Sequence, residues 1–302
     1  MEVIAVYDER IVLTGISQGR LFLFIIKLAG ENYIIDKAVN LGSSDSFAIH
    51  SMETYENSVY MTDSFNNKIY KYDTSSNEFF ETNVGRDPRH ICLSNDNMYV
   101  ANFESDNISI IDLNSFALTG SIPAGIKAHD VICSEKSNLL YTSCYEENEV
   151  VEYSIDQGLR RTFKTEGKPM HLFMLGDTII AMTYYVNGNI HTKVNFINLK
   201  SGMIDDLIII EGLCSDFLFD YENNMMYAIN IVDKSLYIAD AALRKIVKTL
   251  YLGGYPESIS CSDNNIYVTN SKKQQITVIE KKGYKLSSID LQFVPDLIKV
   301  FH

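Results

Sequence analysis

The sequence predicts an all-β fold, a seven-bladed β-propeller built from four-stranded antiparallel blades. Three observations carry this. First, a short strand that Tyr opens and a small residue closes returns along the chain, as Tyr60–Asp63, Tyr99–Asn102, Tyr141–Cys144, Tyr227–Asn230 and, within Ile266–Asn270, Tyr267–Asn270; Val12–Gly15 is a degraded copy. Second, an aliphatic follows nine positions after the first residue of each copy, at Leu21, Ile69, Ile108, Val150, Leu236 and Ile276. Third, copies lie roughly forty residues apart, the length of one propeller blade, and each is too small to bury its apolar face without neighbours.

The copies in order are about 1–40, 41–83, 84–122, 123–163, 164–207, 208–250 and 251–291, with a closing segment at 292–302, all in one domain. The third shows the pattern in full. Pro88–Leu93 reads as a first strand, Ser94–Asn97 as a polar turn, Met98–Asn102 as a second strand, Ile108–Asp112 as a third and Ala117–Ile122 as a fourth. Such runs are β-branched and aromatic, and Asn, Asp, Ser and Gly bound them, which is the chemistry of strands and turns. The fifth copy is the least regular, with a second strand at Thr178–Thr183 and an expected long loop from Tyr184 to Lys193. No stretch holds a helical period. Pro295–Val300 resembles a first strand, as in Pro88–Leu93, and would let the chain ends share one blade. Val3–Val6 competes for the same slot in the first copy.

The 302 residues carry a formal charge of −13. A surface that acidic repels phosphate backbones and anionic lipids, so nucleic-acid and membrane partners are not expected. The longest apolar run, Leu21–Ile26, is far too short to span a bilayer. No signal peptide is visible at the start of the chain. The five cysteines have no C-x-x-C spacing, which signals neither a disulfide framework nor a zinc site. Cys92, Cys133, Cys214 and Cys261 recur in or beside first strands and read as small buried residues. Free thiols and the missing signal point to a cytoplasmic location.

Tyr267-Val268-Thr269-Asn270 is the signature of the YVTN family of propeller repeats, and Pro256–Ile259 upstream and Ile276–Glu280 downstream fit the same pattern. Met98–Leu113 is a second, nearly complete match. The chain therefore resembles YVTN propellers of the YncE-like kind over nearly its whole length, with the weakest match at 1–40 and 164–207. The resemblance implies the seven-bladed fold. For function it implies a range, from surface-layer proteins and binding scaffolds to lactonase-type and lyase enzymes, and fold alone does not choose among them.

Asp63, Asn102, Asn230 and Asn270 recur, as do Asp73, Asp112 and Asp240, and recurrence marks scaffolding: short polar side chains that shape turns. The residues just after the Pro-like position of each first strand are more individual. They are Phe47-Ala48, Arg89-His90, His129-Asp130, Met170-His171, Ser215-Asp216 and Glu257-Ser258. A propeller gathers these positions at one mouth of its central channel. Arg89, His90, His129, Asp130, His171, Asp216 and Glu257 are thus the expected ligand-binding set. His90, His171, Asp130 and Asp216 would suit a divalent ion, because imidazole and carboxylate are its usual donors. His50, His191 and His302 fall outside the set. No nucleophile elbow, P-loop or dinucleotide fingerprint appears, and no catalytic residue or bound cofactor is expected. The leading reading is a non-catalytic scaffold that binds a protein partner or small ligand at one face or at the channel mouth. The alternative is a metal-assisted hydrolase or lyase, lactonase-like, acting at that mouth with Arg89 holding an anionic substrate.

Overall fold

The structure is a computed structural model that describes residues 9–30, 32–134 and 138–301. It is a seven-bladed β-propeller, and every blade is one four-stranded antiparallel sheet; in blades 2–7 the strands pair in chain order. Blade 2 runs Ile49–Tyr55, Ser58–Asp63, Lys68–Asp73 and Phe79–Asn83, and blade 3 runs Pro88–Ser94, Asn97–Asn102, Asn107–Asp112 and Ala117–Pro123. Blade 4 begins with Ala128–Ser134, blade 5 with Lys168–Leu175, blade 6 with Cys214–Asp220 and blade 7 with Pro256–Cys261. Among the described residues the only helical piece is a 3-10 turn at Ser44–Ser46. The chain divides into two compact units, one of blades 1, 6 and 7 and one of blades 2–5.

The competition for the first slot of blade 1 is resolved in favour of the C-terminal segment. Val294–Val300 pairs antiparallel with Arg10–Ser17, which continues to Arg20–Ala29 and Asn32–Ser43. Val3–Val6 lies outside the described residues. The last strand of this blade runs past the expected boundary at residue 40. Blade 5 departs from expectation too. Tyr184–Lys193 is not a loop, because Thr178–Asn187 and Asn189–Asn198 form one long hairpin, with Asn187 opposite Asn189 across Gly188. The sequence explains this: Tyr184, Tyr185, Val186, Ile190 and Thr192 are strand formers, and the Asn-Gly-Asn turn puts a glycine where φ is 75°.

Burial follows strand position. Second strands are covered on both faces, so every residue of Ser58–Asp63, Leu139–Cys144 and Asn265–Asn270 is buried, whereas fourth strands such as Phe79–Asn83 are mostly exposed. The apolar layers lie between blades. Tyr267, Ile276 and Val278 of blade 7 pack with Ile11, Leu13 and Ile298 of blade 1. Tyr141, Val150 and Phe163 of blade 4 pack with Leu172, Ile179 and Ile197 of blade 5. Each such side chain contributes about 1.5–3 kcal/mol by leaving water.

The recurrent polar residues are scaffolding. Asp63 Oδ1 accepts the N–H groups of Phe65 and Asn66, Asn230 Oδ1 that of Val232, and Asn270 Oδ1 those of Tyr255 and Lys273. Asp73, Asp112 and Asp240 hold turns in the same way, through Ser75, Ser115 and Leu243.

Candidate functional site

The site residues owe their position to a repeated irregularity. In blades 3, 4, 5 and 7 the pairing of first and second strands slips over the two residues after the Pro-like position, between Pro88 and Ile91, Ala128 and Val131, Pro169 and Leu172, and Pro256 and Ile259. A bulge of this kind re-aims side chains that a regular ladder would hold. Two contacts to the next blade pin it. The hydroxyl in the third place of the Tyr strand donates to the carbonyl of the first bulged residue ahead: Thr62 to Arg89 at 2.9 Å, Ser143 to Met170 at 2.8 Å and Thr269 to Asp296 at 2.7 Å. The side chain at the second position of the slot accepts an N–H of the next blade's first strand. Asp130 takes Leu172 at 2.9 Å, Asp216 takes Ile259 at 2.9 Å and Ser258 takes Ile298 at 3.4 Å.

This fixes what Asp130 and Asp216 do. The other oxygen of each accepts its own neighbour's N–H, from Val131 and Phe217, both at 2.8 Å. The two carboxylates expected as ligands are spent on backbone and act as blade-to-blade ties.

The unit of blades 2–5 brings four imidazoles together. Ligand nitrogens of His50, His90 and His129 all lie within 4.8 Å of one another. Ring centroids are 4.9 Å apart for His90 and His129, 5.1 Å for His50 and His90, and 5.3 Å for His50 and His129. His171 adjoins His90 at 4.7 Å and His129 at 5.5 Å. His129 is 2% exposed, and neither of its ring nitrogens makes a well-formed hydrogen bond. The Met170 carbonyl is near enough only to favour its protonated form slightly.

His50 corrects the sequence reading, which left it outside the set and put Phe47-Ala48 in its place. Ser51 N–H bonds Thr62 as Ser258 N–H bonds Thr269, so His50-Ser51 is the true counterpart of Glu257-Ser258. Blade 2 has no Pro to mark the slot. Counting back eleven residues from the Tyr-strand hydroxyl would have found it. His191 lies in the blade 5 hairpin opposite Tyr185, away from the cluster, and His302 lies outside the described residues.

Arg89 sits beside the rings. One guanidinium nitrogen is 2.7 Å from Asp87, another is 3.1 Å from His50 Nδ1, and the group lies over the Phe103 ring at 4.8 Å. Asp87 offsets its charge, so the cluster carries no uncompensated cation. Part of His50 faces a pocket of about 530 Å³ that also touches Arg86, Asp87, Arg89 and Glu104. Burial, with Arg89 and His171 nearby, lowers its pKa to about 3. His129 is held well below the usual imidazole range by burial first, then by His50, His171 and Arg89. Both rings are neutral near pH 7; His129 keeps a lone pair for a Lewis acid, while the Nδ1 lone pair of His50 accepts from Arg89.

Glu257 belongs to the other unit. Burial raises its pKa to about 7 against a hydrogen bond from Ser271, and Asp296 nearby adds to the rise. Burial also raises Asp296 and Asp216 above the usual carboxylate range.

A bulged, hydroxyl-stitched seven-bladed β-propeller with an imidazole cluster is the class that fold and site define. No family model and no curated protein matches the chain. Among solved structures it is similar over 99% of both chains to a putative 6-phosphogluconolactonase from Bacteroides fragilis, with TM-score 0.71 and 14% identity. It is similar to apo AztD from Citrobacter koseri over 96% of this chain and 97% of that one, with TM-score 0.63 and 12% identity. Hydrazine synthase of Kuenenia stuttgartiensis matches over 78% and 76%, with TM-score 0.67 and 17% identity. At these identities the likeness is one of fold.

Proposed function

We propose that this chain is a non-catalytic binding propeller whose ligand is a divalent transition-metal ion, held by His50, His90 and His129 with His171 adjoining. One observation carries the reading. Three imidazole nitrogens lie within 4.8 Å of one another, around a buried His129 whose ring nitrogens have no well-formed hydrogen bond. A buried polar group without a partner costs stability, and an ion with Zn–N bonds near 2.0–2.1 Å would recover it after a small inward shift of the rings. The Tyr-Val-Thr-Asn run at 267–270 supports placing the protein among YVTN propellers, and its free thiols support a cytoplasmic location.

Metal content and thermal unfolding of purified protein, with and without EDTA, test the proposal. We expect about one zinc ion per chain. A free concentration of ~100 Kd would add about 2.7 kcal/mol of stability, since the ion binds only the folded state. Protein that retains no zinc after dialysis and shows no shift on adding it would sink the idea.

The pocket beside His50 favours a second reading, in which the bound ion serves a hydrolase or lyase acting on an anionic small molecule held by Arg86 and Arg89. The lactonase named among the similar structures belongs to that class. Zinc-dependent lactone hydrolysis, lost in His90→Ala, would move the assignment to it.

A further inference from the structure

Cys92 and Cys133 are one repeat apart and belong to the first strands of blades 3 and 4. Their sulfurs are 2.6 Å from each other, and both side chains are half-buried against the layer of Ala101, Ile108 and Val131. We propose that Cys92 and Cys133 form a reversible redox dithiol that closes to a disulfide and staples blade 3 to blade 4. Cys92 lies two residues beyond His90, and Cys133 four beyond His129, so the staple sits on the two strands that carry His90 and His129 of the cluster.

The reaction balances with a small disulfide as oxidant. One protein thiolate attacks the small disulfide, forming a mixed disulfide and releasing one small thiol. The second protein thiolate then attacks the mixed disulfide at the protein sulfur and releases the other. Two protein thiols are oxidised, one small disulfide is reduced to two thiols, and no metal or oxygen is needed. The hydrogen bond that Cys92 donates to the Cys133 sulfur, then burial, pushes the Cys92 thiol up. Of the remaining three cysteines, Cys144 and Cys214 are buried in blades 4 and 6, and Cys261 is half-buried in the first strand of blade 7, so the peptide mapping must separate its adducts from those of Cys92 and Cys133.

The test uses the full chain, freed of metal with EDTA and incubated natively with oxidised glutathione. Alkylation, digestion without reductant and mass spectrometry then read the products. The expected product is a peptide pair joined through Cys92 and Cys133, reversed by a dithiol reductant, together with a higher thermal midpoint, because the bond closes a loop in the unfolded chain. Cys92→Ser and Cys133→Ser, near-isosteric changes that leave the fold in place, should each trap glutathione on the remaining cysteine and show no rise. Wild-type protein that stays fully reduced, or that stops at glutathione adducts without the joined pair, overturns the proposal.

Discussion

The same repeat slot carries opposite chemistry in the two units. In blades 2–5 the slot supplies His50, His90, His129 and His171, with Arg89 and Asp130 beside them; in blades 6, 7 and 1 it supplies Asp216, Glu257 and Asp296 and no histidine. The backbone device is shared, since Thr62, Ser143 and Thr269 all clasp the carbonyl of the bulge ahead. Burial drives both sets towards neutrality. It lowers His50 and His129 and raises Asp216, Glu257 and Asp296. A neutral imidazole can offer a nitrogen lone pair to a metal ion, whereas the Asp216 carboxylate already accepts two backbone N–H groups. Position in the fold therefore does not choose the function; the side chain placed there does.

The sharpest break of this comparison is a ligand deletion. His129→Ala should weaken zinc binding by on the order of a hundredfold, about 2.7 kcal/mol, while Glu257→Ala leaves it unchanged in a titration with a competing chelator. Equal losses in both variants would mean that the units do not differ in the way described.

Next come the two tying carboxylates, which make the units alike. Asp130→Ala and Asp216→Ala each strand two buried N–H groups, at about 1–3 kcal/mol apiece. Denaturant unfolding of metal-free protein should show a loss of about 2–6 kcal/mol for each. Zinc affinity should hold in Asp130→Ala, and a loss of affinity with stability intact would make Asp130 a ligand after all.

These ties also mark the limit of what the sequence discloses. Blade number, strand order and the turn role of Asp63 and Asn270 are legible because repetition and turn chemistry are local. That Arg89, His90, His129 and His171 converge was legible from the repeat register alone. That Asp130 and Asp216 face backbone was not, because their partners Leu172 and Ile259 lie one blade ahead, beyond any local pattern. His50 was lost to a register error of three residues in the one copy between 41 and 163 that lacks both a Pro-like marker and a regular approach.

The pH response separates the units with a smaller effect. His50 has a folded pKa of about 3 against about 6.5 unfolded, so the unfolded chain binds protons first as pH falls. Its contribution is intact above pH ~6.5 and is lost towards pH ~3. Glu257 has the reverse sign. Its folded pKa of about 7 exceeds the ordinary 4.5, so its contribution is full below pH ~4.5 and is lost as pH rises through ~7. In metal-free protein, His50→Asn should gain stability relative to wild type at pH 5 compared with pH 8. Glu257→Gln should gain at pH 8 compared with pH 5. Parallel profiles for the two variants would show that the shifts do not govern stability.

The smallest expected effect is the most discriminating within the histidine cluster. A guanidinium only donates, so the Arg89 contact makes His50 Nδ1 an acceptor and leaves the ring proton on Nε2. An ion bound at Nε2 would need that proton moved to Nδ1, facing Arg89, and an ion at Nδ1 would need Arg89 displaced. Arg89 therefore opposes metal binding through His50. Arg89→Met keeps an unbranched stem over Phe103 and retains the backbone carbonyl that Ser51 and Thr62 clasp. Zinc affinity should rise by up to about tenfold, or ~1.4 kcal/mol. If Arg89 instead anchors an anionic substrate, the variant would leave zinc affinity where it was and lose binding of the anion. Titration of zinc and of inorganic phosphate on the same variant therefore decides between a metal-binding cluster and a substrate pocket built around it.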